Sequence, residues 1–409
     1  MNFEQSLQKI KQIKRSKFKE KYKNKITAFS RKRKLSFEDC LMILLNKKAR
    51  NMQTEIDEYF EQKGEESVSR QGFAKARENI NPQAILALNK SIIDDFEVQN
   101  TDKKLYKNHR IFSIDGSYIS LPNTKQAIKE YGFSTNQNGI KRAKGLAMTI
   151  YDSLNELTIH AELFKRNDSE KKLVFEFIDY LKKQNYKDII IVLDRGYPSF
   201  QLMDYIEQIG YKYVIRVQSN FSKITTNAIA VDSQVTASYH KTPVNFRVLN
   251  IPLSSGTIEK IVTNLDEKFD VNDIEYIYKN RWEIEKSFDV LKNKVCLESF
   301  SGGTKNAILQ DFYAAILIQN ISAFAYREQA KIIKSHAKVQ PNMTHTVGVI
   351  KRHLIKIFLT DCNVKRLFHM FFVKKYILKY AVYSPPNRYF NRSFEHRSKS
   401  RKFAKKLPF

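Results

Sequence analysis

The stretch DIIIVLD, residues 188–194, constrains the fold more tightly than any other part of the chain. Five consecutive aliphatic residues between two aspartates read as a short, buried strand that ends in a turn. Its surroundings set the class. HRIFSIDGSYISLP (109–122) alternates apolar and polar residues as a strand does, and GLAMTIYDSLNELTIHAELF (145–164) reads as two strands joined by a turn at Asp152–Asn155. A helix is expected over Ser169–Gln184 and another over Phe200–Ile209, followed by the strand YKYVIRVQ. Three strands, helix, strand, helix, strand describe a mixed α/β sheet flanked by helices. Residues 219–268, with NFRVLNI and IEKIVTNL around the turn SSG, read as a small β insertion.

The flanks are helical. Ser36 and Asp39 form the pattern of a capping box opening a helix that runs to about Gln62. Shorter helices begin near Ser69 (SRQGFAKAREN) and at Asn81–Pro82. Arg70, Lys75 and Arg77 on these short helices suit a small DNA-binding unit, although a plain helical bundle carries the same pattern. The segmentation expected is a basic helical region over 1–105, a catalytic core over 106–330 interrupted at about 219–268, and a helical C-terminal region over 331–409 with a basic tail.

Charge narrows the partner. The 409 residues carry a formal charge of +28, a field that suits a polyphosphate and has no use in an enzyme of small metabolites. Residues 1–34 hold thirteen Lys and Arg against two Glu, and residues 386–409 hold eight against Glu395 alone. Nucleic acid is the favoured partner and an acidic membrane surface the rival. No stretch approaches eighteen apolar residues and the N-terminus lacks a hydrophobic signal core, so a soluble intracellular protein is expected. Cys40, Cys296 and Cys362 are odd in number and far apart, which gives neither a disulfide framework nor zinc spacing.

The chemistry rests on carboxylates. Asp115 lies within the first strand, and Asp194 ends the buried one, where an open α/β sheet usually presents its site. Each precedes or nears a glycine and is also a good turn former. A third acid, Glu285, sits in YKNRWEIEKSFDVLK (278–292), which has no Pro or Gly and follows a plausible cap at Asp270. On a continuous helix Tyr278, Arg281, Glu285 and Lys292 would share one face, within about 60° of each other. The apolar stripe Ile284, Phe288, Leu291 and Val295 would face a core. Three carboxylates in one place need a cation. Mg²⁺, with Mn²⁺ as a substitute, is held by one or two carboxylates, waters and substrate phosphates. Two such ions activate an attacking oxygen and stabilise a leaving one, while Arg281 and Lys292 would grip phosphates nearby.

The spacing Tyr–x2–Arg–x3–Glu–x6–Lys resembles the YREK signature of DDE transposases of the insertion-sequence-four family. RWEIEKSFDVLK, IDGSYISLPN, VLDRGYPSF and TNLDEKFDVNDIEYIYKNRW resemble that family too, and SRQGFAKAREN does so more weakly. The resemblance implies an RNase H-like core with a β insertion and a triad mapping onto Asp115, Asp194 and Glu285, which would hold the metal ions. It implies Tyr278, Arg281 and Lys292 at the transposon end, binding to terminal inverted repeats and target DNA, a homodimer in a synaptic complex, and cut-and-paste strand transfer. Some relatives stack a flipped base on a tryptophan of the insertion. Here the single tryptophan is Trp282, expected to pack in the signature helix, which leaves Phe221, Tyr239 or Phe246 as a platform. A DNA-binding protein that keeps the fold without transposition, or an RNase H-like repair nuclease, are the alternatives.

Overall fold

The computed structural model describes residues 1–31, 33–98, 103–253, 256–333 and 339–383. The chain divides into two compact units. One comprises residues 1–100, 121–127 and 289–409 and is helical; the other comprises 101–120 and 128–288 and holds the sheet. The basic C-terminal tail lies outside the described residues.

The helical unit begins at the second residue. Helix α1 (Phe3–Ile10) opens on a capping box formed by Asn2 and Gln5. Phe3, Leu7 and Ile10, with Ile13 in the 3₁₀ turn that follows, are buried. About a third of the leader read as a charge run, residues 3–14, is therefore an amphipathic core element. Next come α2 (Ser16–Tyr22), α3 (Phe37–Asn46), α4 (Met52–Lys63), α5 (Arg70–Arg77) and α6 (Gln83–Val98). Ser36 and Asp39 do form their capping box, but the single helix expected to Gln62 is broken after Asn46. Ala49 takes a left-handed φ of 62°, and the Glu55 carboxylate accepts the N–H groups of Lys48 and Arg50 at 2.7 and 3.0 Å. Asn51 then caps α4 through the Gln53 N–H. A side chain from the second helix thus satisfies the amides that a continuous helix would have paired internally.

In the sheet unit, β1 (Arg110–Ser120) is followed across α7 (Lys125–Tyr131) by β2 (Phe133–Thr135), β3 (Lys141–Asp152) and β4 (Leu157–Lys165). Then come α8 (Glu170–Lys183), β5 (Ile189–Leu193), α9 (Phe200–Gln208) and β6 (Lys212–Val217). β1, β3 and β4 form an antiparallel meander, while β5 runs parallel to β1 and β6 parallel to β5. The spatial order β4-β3-β1-β5-β6 is the RNase H-like arrangement. The insertion supplies α10 (Lys223–Asn227), β7 (Asp232–Tyr239), β8 (Thr242–Pro252) and β9 (Ile258–Thr263). These strands continue the same sheet, with β9 antiparallel to β6, giving nine strands in all among the described residues. Ile111, Ile190, Val192, Val214 and Ile261 form one face of a core closed by Ile274 and Ile277 of α11 (Val271–Lys279).

α11 opens on a capping box of Asp270 and Asp273, but it does not run on to Lys292. It stops at Lys279, and α12 (Trp282–Asp289) begins after a tight turn. The Asn280 amide side chain donates to the Tyr276 carbonyl at 2.8 Å, and the Arg281 N–H shifts to the Tyr278 carbonyl, one residue short of the helical partner. Beyond Asp289 the chain forms a π-helical turn, Val290–Lys294. One straight stripe from Tyr278 to Lys292 therefore does not exist, because the turn and the π segment each change the angle between successive residues.

The helical unit is completed by α13 (Lys305–Ile333), α14 (Met343–Leu359) and α15 (Asn363–Lys379), with β10 (Val339–Gln340) paired to β11 (Val382–Tyr383). By length and composition α13 is apolar enough to cross a membrane, yet 94% of its most apolar window is buried inside the unit. It is a core helix.

Candidate active site

Strand register brings two of the three expected acids together. In the parallel pairing Ser113 lies opposite Val192, the last pair of the ladder, and Asp115 and Asp194 each follow two residues further on, Asp115 still within β1 and Asp194 just past the end of β5. Asp194 follows the last residue of β5, where the chain turns through Arg195 and Gly196. Its carboxylate accepts the Arg195 N–H at 2.7 Å and the Tyr278 hydroxyl at 3.2 Å. Tyr278, at the end of α11, is buried in the core cluster, and burial pushes the pKa of its hydroxyl up. It stays protonated and holds Asp194 in place.

Asp115 is the more isolated charge. Burial pushes its carboxyl pKa up to about 6, against the opposing pull of the Gly116 N–H, the Tyr197 hydroxyl and the Arg281 guanidinium. The Tyr197 hydroxyl stands 3.0 Å from Asp115 Oδ1 and 3.0 Å from Glu170 Oε2. With one proton it donates to one carboxylate at a time. Both residues were missed by sequence reasoning. Tyr197 follows Asp194 in DRGY and was legible as a neighbour of the turn, whereas Glu170 looked like an ordinary first-turn acid of α8.

Arg281 sits between the carboxylates. Its Nη2 donates to Glu285 Oε1 at 2.9 Å, and it interacts electrostatically with Tyr278, Asp194 and Asp115. Only 8% of it is exposed, and its Nε and Nη1 have no hydrogen-bond partner. A second pair missed by the sequence borders this group. Arg216 of β6 meets Glu259 of β9 at 3.2 Å; burial raises the Glu259 pKa, while Arg216 and Arg281 pull it down. No local signal marks Glu259, because only the β6–β9 register carries it there.

The donors suit a hard cation: Asp115 within β1 and Asp194 just past β5, on paired strands, offer carboxylate oxygens, the one or two that Mg²⁺ requires of a protein. Among the described residues no three acids close into a cage, and Glu285 is engaged by Arg281. Lys292 falls on the π-helical turn, in the helical unit.

The residues expected to read DNA in the helical region separate. Arg70 and Lys75 are exposed on α5. Arg77 is not: it is 3% exposed. Its guanidinium donates to Gln310, Ser301 and the Ala307 carbonyl and pairs with Asp311 at 3.2 Å, so it ties α5 to α13 and is withdrawn from any surface. Among the stacking candidates Phe246 is 1% exposed, in the middle of β8, while Phe221 and Tyr239 are half-buried. Trp282, expected to pack, is 41% exposed at the start of α12, because the break at Asn280 turns it away from the apolar stripe.

A putative transposase for insertion sequence element IS4SA from Synechocystis sp. is 28% identical over 138 residues, spanning 31% of this chain and 38% of that relative. A solved structure of a piggyBac transposase synaptic complex with hairpin DNA is similar over 96% of this chain and 88% of its own, at 14% identity and a TM-score of 0.49. The family described as Transposase DDE domain matches residues 106–321, more than half of the 409 and the whole run from β1 to the middle of α13. This chain belongs to the DDE transposase domain family.

Proposed function

We propose that the chain is an enzyme that binds the terminal inverted repeats of an insertion sequence, cuts there, and joins the freed end to target DNA by a cut-and-paste route. The observation that supports this reading is that β1, which carries Asp115, pairs with β5, which ends just before Asp194, while Arg281, bonded to Glu285, acts electrostatically on both aspartates. The +28 charge of the chain supplies the field that gathers DNA. Asp115, Asp194 and Glu285 would hold Mg²⁺, or Mn²⁺ in its place, and two ions suit the two oxygens of a displacement. When bound, such ions lower the pKa of the attacking water or hydroxyl and stabilise charge on the leaving oxygen.

The chain's own groups orient the rest. Tyr278 holds Asp194, Tyr197 holds Asp115, and Arg281 offers cationic donors to a phosphate flanking the scissile bond; Lys292 would contact the transposon end. The same centre would serve hydrolysis at the end and transesterification onto target, with two copies of the chain pairing the two ends. The place of action is the bacterial cytoplasm, on the nucleoid.

The test is cleavage of a duplex bearing the element's own end, in Mg²⁺, by three proteins. Glu285→Gln keeps volume and loses the charge, so nicking and strand transfer are expected to fall by several orders of magnitude while end binding survives. Glu283→Gln, whose native carboxylate pairs with Lys286 at 2.6 Å, should cleave like the wild type. Normal cleavage by Glu285→Gln would overturn the triad. Tight, sequence-specific end binding with no cleavage by the wild type would leave a DNA-binding protein in its place.

A further inference from the structure

Resting on that reading, we infer that Arg281 is a latch: in the DNA-free protein it occupies the centre of the acid cluster as an internal cation and withholds Glu285 from the metal site. A backbone phosphate is the ligand that releases it. Four observations lead there. The Arg281–Glu285 contact at 2.9 Å joins an almost fully buried guanidinium to a half-buried carboxylate, one helical turn apart. Arg281 also attracts Asp115 and Asp194, so all three carboxylates are neutralised in part by one cation of the chain itself. No three acids among the described residues stand close enough to close on an ion. And two donors of Arg281, Nε and Nη1, are without partners although the residue is more than nine-tenths buried.

Buried donors that lack acceptors cost free energy, and that cost is recovered when an acceptor arrives. A guanidinium with two free N–H groups beside a DNA cleavage site matches a phosphate oxygen. A phosphate that draws Arg281 toward itself weakens its hold on Glu285. The freed carboxylate then turns to Asp115 and Asp194, and the site gains its third ligand. The assembly of the triad is thus coupled to the presence of substrate, which keeps a hydrolytic centre idle when no end is bound.

Mn²⁺ binding to the full chain, measured by calorimetry without DNA, tests this independently of cleavage. Asp115→Asn should abolish binding. Glu285→Gln should change the affinity by no more than about threefold, because that carboxylate is already committed to Arg281. Arg281→Gln should raise the affinity by about tenfold, through loss of a nearby cation and release of Glu285. In the double variant Arg281→Gln/Glu285→Gln most of that gain should vanish. Adding a short random-sequence duplex to the wild type should tighten Mn²⁺ binding and create a dependence on Glu285.

A loss in Glu285→Gln as large as that of Asp115→Asn overturns the latch, and this measurement stands even if Arg281→Gln fails to fold. Unchanged affinity in a folded Arg281→Gln also overturns it, as does a gain that persists in the double variant. A wild type that binds no Mn²⁺, with or without duplex, overturns instead the metal-dependent reading on which the latch rests.

Discussion

Replacing Asp115 by Asn should stabilise the metal-free protein at neutral pH and leave it unchanged at pH 4. The folded state holds this carboxyl at a pKa of about 6 against an ordinary value of 3.8, chiefly because burial penalises its charge. An acid raised in this way costs nothing while protonated in both states. The cost grows as pH climbs from about 4 to about 6, where the unfolded chain has already released its proton and the folded one has not. Above that window it is constant at about 3 kcal/mol, from a gap of about two pKa units at 1.36 kcal/mol each. Asparagine keeps an oxygen for the Gly116 N–H and the Tyr197 hydroxyl and carries no charge to bury. Urea titrations in a chelator would follow the fluorescence of Trp282, the single tryptophan of the chain, which lies in the sheet unit and so reports its unfolding alone. The expected stability gap between variant and wild type is near zero at pH 4 and about 3 kcal/mol at pH 7.5. A gap that is the same at both pH values, or a variant less stable than wild type at neutral pH, would refute the account of Asp115 as a charge held at a cost.

Arg77→Met removes the guanidinium that joins α5 to the buried Asp311; a loss of about 3–5 kcal/mol is expected in thermal or urea unfolding of the helical unit, with Lys47 left as the remaining counterion. Changing the exposed Arg15, Lys17, Lys21, Lys25, Arg31 and Arg33 to Gln should leave the fold intact and flatten the slope of log affinity against log salt for any duplex, by about 0.9 for each phosphate left unneutralised. Deleting the leader outright would instead strip Phe3, Leu7, Ile10 and Ile13 from the core, so an unchanged slope in the charge variant, with folding preserved, is the result that removes the leader from the DNA interface.

What the sequence made legible was whatever depends on neighbours along the chain. The strand pattern from Arg110 to Val217 needed only alternation and apolar runs, and the caps at Ser36 and Asp270 needed residues three apart. Asp194 was found because a strand end is visible in one dimension, and Asp115 because an acid inside an alternating strand stands out against its neighbours. The illegible parts depend on distant partners. A cation on a short helix looks solvated, and nothing near Arg77 announces Asp311, 234 residues away. α1 was hidden because the lysines of the leader that follows it dominate the local composition, although its own apolar residues recur at helical spacing. The breaks at Lys47–Asn51 and Asn280 carry neither Gly nor Pro, so ordinary propensity passed over them. Glu259 and Arg216 meet only through the register between β6 of the core and β9 of the insertion.

That register bears on how such proteins diversify. An insertion attached by two loops can be exchanged between relatives like a cartridge. Here β9 is hydrogen-bonded along β6, so the inserted strands inherit a fixed phase relative to the chemistry. A single-residue shift in the loop before β9 would flip Glu259 to the opposite face and leave Arg216 facing Tyr278 alone. A chimera that transplants residues 219–268 from another family member would therefore have to conserve strand phase as well as length. In this protein the insertion is meshed with the core like a gear, through the β6–β9 ladder and the Arg216–Glu259 pair.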